Sequence, residues 1–162
     1  TRLRDTALSI PCCSASARCW SPDCRTFCFS TSGTTSAYAY DYDIETGEAS
    51  NRRPFVDTTS LGGVPDGATV DLDGLYWVAI YRGGKIAAFR PDGGLERVID
   101  MPVALASSVC FGGPDLDKLY VTTIAHDVVD SSTPGGNEPD AGCLFVIEGL
   151  GARGRAEPRF AG

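Results

Sequence analysis

The run Leu75-Tyr76-Trp77-Val78-Ala79-Ile80-Tyr81-Arg82-Gly83-Gly84-Lys85-Ile86-Ala87-Ala88-Phe89 is the clearest strand signal in the sequence. Two short apolar runs rich in aromatic and β-branched residues flank a Gly-Gly pair, the pattern of two strands joined by a tight turn. Upstream, Ala68 to Leu72 leads into a turn at Asp73-Gly74, and downstream Pro91-Asp92-Gly93 separates Phe89 from a further run, Leu95 to Asp100. Four strands in a meander make one blade-like sheet.

The same order recurs on either side. Trp20-Ser21-Pro22-Asp23-Cys24-Arg25 precedes strands at Thr26 to Ser30, Ala37 to Asp43 and Glu48 to Val56, with Glu45-Thr46-Gly47 as a turn. Ser107 to Phe111, the Gly112-Gly113-Pro114-Asp115 turn, Lys118 to Thr123 and Cys143 to Ile147 make the third unit. Second strands near Thr26, Leu75 and Lys118 lie about 49 and 43 residues apart, within the repeat range of roughly 40 to 50 typical of propellers. The fold class expected is all-β: about three four-stranded antiparallel blades of a β-propeller. Tyr38, Tyr40 and Tyr42 share one strand face by period two, which assigns them to packing.

With 162 residues, 43% of them hydrophobic, the chain is long enough for one domain with a core. A formal charge of −7 argues against nucleic-acid and anionic-membrane partners, which draw affinity from Lys and Arg. No run approaches the roughly 20 apolar residues that cross a bilayer. The chain starts with Thr1 rather than Met, which leaves room for an upstream portion.

Of seven cysteines, Cys12, Cys13, Cys19, Cys24 and Cys28 crowd the first 28 residues, and Cys110 and Cys143 stand apart. The odd number and uneven spread point to reduced thiols and a cytoplasmic location. No Cys-x-x-Cys pair exists and the single His126 is distant, which weighs against a zinc-cysteine site. Nor does the sequence place a Ser or Cys nucleophile beside His126. The polar stretch 126–142 is expected to be a long loop.

Several phrases resemble the regucalcin/gluconolactonase family, which includes the luciferin-regenerating and senescence-marker proteins. They are Trp20-Ser21-Pro22-Asp23, Tyr40-Asp41-Tyr42-Asp43, Ser50-Asn51-Arg52-Arg53, Pro65-Asp66-Gly67, Leu75-Tyr76-Trp77-Val78-Ala79, Cys110-Phe111-Gly112-Gly113-Pro114-Asp115 and Pro139-Asp140-Ala141-Gly142, in the family's order. The ending Phe160-Ala161-Gly162 is similar to that of animal regucalcins. The resemblance implies the carboxyl-terminal half of a six-bladed propeller, so that residues 1–162 form a partial propeller domain. It also implies hydrolysis of a sugar lactone with one divalent cation, Ca²⁺ or Zn²⁺, with Mn²⁺ or Mg²⁺ as alternatives.

Family members hold the ion with an amino-terminal Glu, an Asn in an Asn-Gly-Leu-x-Trp phrase and the Asp of Pro-Asp-Gly. Asp66 matches the last and is the candidate metal ligand and catalytic base. Ser16 stands at the Asn position and is a weaker candidate ligand, while the Glu has no counterpart. Turn chemistry alone reads Pro65-Asp66-Gly67 as a bend.

Cys24 replaces the Gly that family members place after Ser-Pro-Asp, which predicts strain if the turn type is kept. Residues 1–35 thus form a divergent, cysteine-rich segment. The alternative function is a non-catalytic calcium-binding or interaction protein derived from such a propeller. A half ring also has open strand edges, which predict self-association.

Overall fold

The computed structural model describes residues 15–31, 33–126 and 138–156. Cys12, Cys13, Ser32, most of the expected 126–142 loop and the ending Phe160-Ala161-Gly162 lie outside them. Eleven strands fall into three antiparallel sheets among the described residues. The first sheet is β1 (Ala15–Trp20), β2 (Thr26–Thr31), β3 (Ser36–Tyr42) and β4 (Ala49–Asp57). The second is β5 (Val64–Val70), β6 (Tyr76–Tyr81), β7 (Lys85–Phe89) and β8 (Leu95–Asp100). In the third, β10 (Lys118–Thr123) is flanked by β9 (Ala106–Gly112) and β11 (Leu144–Ile147). No helix among the described residues is long and apolar enough to cross a membrane.

Strand β6 shows why the sheets stack. Tyr76, Val78 and Ile80 join Cys19, Cys28, Ala37 and Val56 of the first sheet in one buried cluster. Trp77 and Ala79, pointing the other way, join Val109, Phe111, Leu119 and Val121 of the third. Period two therefore loads both faces of one strand, and an unbroken apolar run is what a strand covered on both sides requires. Each large side chain so buried contributes about 1.5–3 kcal/mol.

Contacts between β1 and β5, and between β5 and β9, bring the first strands of the three sheets side by side, as the innermost strands of consecutive blades. Strands β4 and β8 are mostly exposed, as outer edges are. Tyr38, Tyr40 and Tyr42 pack with Phe27 and Phe29 on the face of the first sheet turned away from the second.

Buried polar groups pin the connections. Asp71, 1% exposed, accepts hydrogen bonds from the N–H groups of Asp73 and Leu75 at 3.0 and 2.8 Å and from Trp77 Nε1 at 2.8 Å. It also bridges to Gly154, while Leu72 N–H donates to the Arg153 carbonyl at 2.8 Å, so the carboxyl-terminal segment is stitched beneath the second sheet. Thr58, fully buried ahead of β5, donates its hydroxyl to the Gly63 carbonyl at 2.8 Å and so sets where β5 begins.

Two readings are corrected. The segment Ser16-Ala17-Arg18-Cys19-Trp20 lies in β1, a strand that the unit boundaries drawn from Trp20 onward omit. Its burial alternates, with Ala17 and Cys19 inward and Arg18 and Trp20 outward. Strand β5 begins at Val64 rather than Ala68, so Pro65-Asp66-Gly67 lies inside a strand and is not a turn. The Cys24 expectation holds: its φ is 59°, and its N–H donates to the Ser21 carbonyl at 2.8 Å. In the next sheet Gly74, at φ 86°, makes the same contact to Asp71.

Candidate active site at the inner strand bulges

Each innermost strand carries a bulge near its start. In β1 the register slips between Ala15 and Ala17, making Ser16 the extra residue opposite β2. In β5 it slips between Pro65 and Ala68, across Asp66-Gly67. In β9 the slip opposite Thr122 and Thr123 falls at Ser107. A bulge re-aims a side chain out of the alternating pattern, and such sites cluster at rims and active sites.

Asp66 is only half-buried, yet burial pushes its carboxyl up from 3.8 to about 6, opposed in part by a hydrogen bond from the Gly67 N–H. Among the described residues no cationic side chain contributes to the shift. A desolvated carboxylate without a counter-charge is what a bound cation would relieve, and on that count Asp66 fits as an oxygen ligand. Gly67 makes the geometry possible. A Cβ built on it would lie 2.7 Å from Ser108 Cα, so β5 and β9 approach at Asp66 closer than any side chain at 67 would allow.

Ser16 is half-buried at the bulge of the neighbouring strand β1, and the structure therefore places the two predicted residues on adjacent inner strands. Among the described residues no group of three or more His, Cys, Asp or Glu side chains converges on one point. A divalent cation of the calcium type takes roughly six to eight oxygen ligands, so these residues supply part of a sphere and do not complete one. Sequence reasoning missed Ser107 and Ser108. Their one signal is positional, since they occupy in β9 the place of Asp66-Gly67 in β5. Ser107 Oγ lies 2.9 Å from Thr122 Oγ1, which ties the bulge to β10. His126 is exposed beyond the end of β10.

The opposite end of the inner strands has different chemistry. A cavity of about 370 Å³ there is lined by Arg18, Cys19, Thr69, Cys110 and Arg155 among others. A larger one of about 540 Å³, between the first and second sheets, is lined by Arg53, Asp23, Asp73 and Tyr76 among others. Asp66 lines neither; what distinguishes the bulges is the carboxyl's desolvation and the alignment of the strands.

The SMP-30/Gluconolactonase/LRE-like region model matches residues 7–125. Regucalcin of Xenopus laevis is 38% identical over 144 residues, covering 88% of this chain and 48% of its own length. Among solved structures, a luciferin-regenerating enzyme superposes with a TM-score of 0.82 at 34% identity, and a calcium-binding regucalcin from Agrobacterium tumefaciens with 0.78 at 27%. Both alignments cover 90% of this chain and 48% of the other. The chain thus spans about half the length of the curated relatives it matches. Three sheets arranged as blades, the ordered motifs and these matches together establish that the chain belongs to the SMP-30/gluconolactonase/LRE-like family.

Proposed function

We propose that the chain contributes Asp66 to the metal-dependent hydrolysis of a sugar lactone. The observation that carries this reading is the carboxyl of Asp66, raised by burial at an inner-strand bulge. It is supported by membership of a family that includes gluconolactonases. Bound to a cation, the Asp66 carboxyl is ionised at neutral pH and its basicity falls, so activation of water by the metal carries more of the proton transfer than the carboxylate itself. Ser16, on the adjacent strand, offers a neutral oxygen in place of an amide oxygen, which weakens the ligand set. A cation held there, Ca²⁺ or Zn²⁺, would polarise the lactone carbonyl and lower the pKa of bound water. The remaining oxygen ligands would come from groups beyond Asp66 and Ser16, in this chain, in a longer protein or in a second chain.

The test is hydrolysis of glucono-1,5-lactone with Ca²⁺, Zn²⁺ or Mn²⁺. Asp66→Asn is expected to lower kcat by roughly 10²–10⁴-fold, the range for loss of a general base. Turnover that survives both a chelator and Asp66→Asn overturns the proposal.

A second reading, a non-catalytic calcium-binding or interaction protein, is favoured by Ser16 in the amide position and by the incomplete ligand set among the described residues. Calorimetry separates the two: no heat with any of these cations, together with a defined partner in a pull-down, supports an interaction protein, and micromolar binding accompanied by lactone turnover excludes the second reading.

A further inference from the structure

Cys19 in β1 and Cys28 in β2 are directly opposed across the first sheet's inner ladder. Two positions along, Ser21 N–H donates to the Thr26 carbonyl at 2.9 Å. Pairs of one class alternate along an antiparallel ladder, so Cys19/Cys28 is a hydrogen-bonded pair, for which Cα atoms lie about 5.5 Å apart. That separation lies within the range of Cα distances, about 4.4–6.8 Å, that a disulfide spans. Both side chains point to the same face, into the cluster shared with Tyr76 and Val78, and their thiols hydrogen-bond to each other. Neither is used by the site around Asp66.

We propose that Cys19 and Cys28 are a redox modification site, closed to a cross-strand disulfide by hydrogen peroxide and reopened by thiols. Access fits a small oxidant. Cys28 lines the cavity of about 540 Å³ and Cys19 the one of about 370 Å³, although both residues are buried. The exposed Cys110 faces Tyr120 across its ladder and has no opposed thiol there.

The environment assigns the order of attack. The Cys19 thiol's hydrogen bond, aided by the Arg53 guanidinium, holds Cys28 down against its burial, whereas the hydrogen bond to Cys28 and burial push Cys19 up. Cys28, which lines the larger of the two cavities beside Arg53, is the thiol that reacts first: its proton leaves and its sulfur attacks one peroxide oxygen. The O–O bond breaks, hydroxide leaves and a sulfenic acid forms. Cys19 sulfur then attacks the Cys28 sulfur, the S–O bond breaks and a second hydroxide leaves. The two thiol protons convert both hydroxides to water, so the thiols lose two electrons and the peroxide gains them. The product ties β1, with its Ser16 bulge, covalently to β2 across the turn that holds Cys24 at positive φ.

The test treats the full chain with stoichiometric peroxide, blocks remaining thiols after unfolding and maps the peptides. Trypsin cuts between the two sites at Arg25, and cleavage before Asp23 separates Cys19 from Cys24. The expected result is loss of alkylation at Cys19 and Cys28 together, recovery of the linked peptide and its disappearance with dithiothreitol. In Cys19→Ser, Cys28 is expected to be trapped as a sulfenic acid by dimedone. The proposal is overturned if both cysteines remain alkylatable under conditions that oxidise Cys110 or Cys143, or if either one pairs with Cys24 instead. The wild-type map decides the matter even if the variant fails to fold.

Discussion

Asp66 carries a measurable cost that does not depend on any substrate. Its folded carboxyl titrates near 6, above the unfolded value of 3.8, so the protonated form is favoured by folding. The stability this contributes is fully present below about pH 4 and is lost as pH rises through 6. Asp66→Asn is therefore expected to be more stable than the wild type at pH 7, by about 1 kcal/mol after allowance for solvent screening of a half-exposed group. Denaturant melts at several pH values should show the two converging near pH 4. Cys24 is a second residue with a defined penalty. At φ 59° it occupies the position that Gly74 fills in the next sheet, so Cys24→Gly should raise stability by about 1 kcal/mol in the same assay. Asp71 is the opposite case. Asp71→Ala leaves Trp77 Nε1 and two backbone N–H groups without their acceptor and should lower stability by about 3 kcal/mol, read as a shift in the denaturation midpoint.

At the scale of elements, the bulged inner strands are what the sequence conceals. Strands β7 and β8 are legible to the residue, because Gly83-Gly84 and Pro91-Asp92-Gly93 punctuate apolar runs. Strand β6 is legible because it is buried on both faces. Strand β5 is not. Its bulge breaks the alternation and places Pro-Asp-Gly, the strongest local turn signal, inside a strand. Strand β1 is hidden for a related reason, since Ser16 interrupts the period and short polar and small residues carry little apolar signal. Asp66 was reachable through the family phrase, whereas Ser108 was not, because its role is to sit against Gly67. That contact predicts that Gly67→Ala, forced into Ser108, destabilises by roughly 1–3 kcal/mol, and that adding Ser108→Gly restores part of the loss. A double-mutant cycle measures the coupling.

For the whole molecule, the blade architecture was legible from the repeat period and open strand edges from the resemblance, but which apolar faces are left uncovered was not. Exposure is concentrated on sheet faces as well as strand edges: Trp20 is 42% exposed beside the aromatic face of the first sheet, and Leu144 and Val146 are 61% and 47% exposed on the third. Apolar faces of this kind favour self-association, and sedimentation of the 162-residue chain is expected to show dimers at micromolar concentration. A compact monomer at all concentrations contradicts that expectation.

The central claim, that Asp66 is a desolvated carboxyl poised for a cation, is tested most directly by following its side-chain ¹³C resonance against pH with and without Ca²⁺ or Zn²⁺. The midpoint is expected near 6 and falls by roughly a unit or more when the cation is added. A midpoint at the ordinary aspartate value, unmoved by either cation, would contradict it.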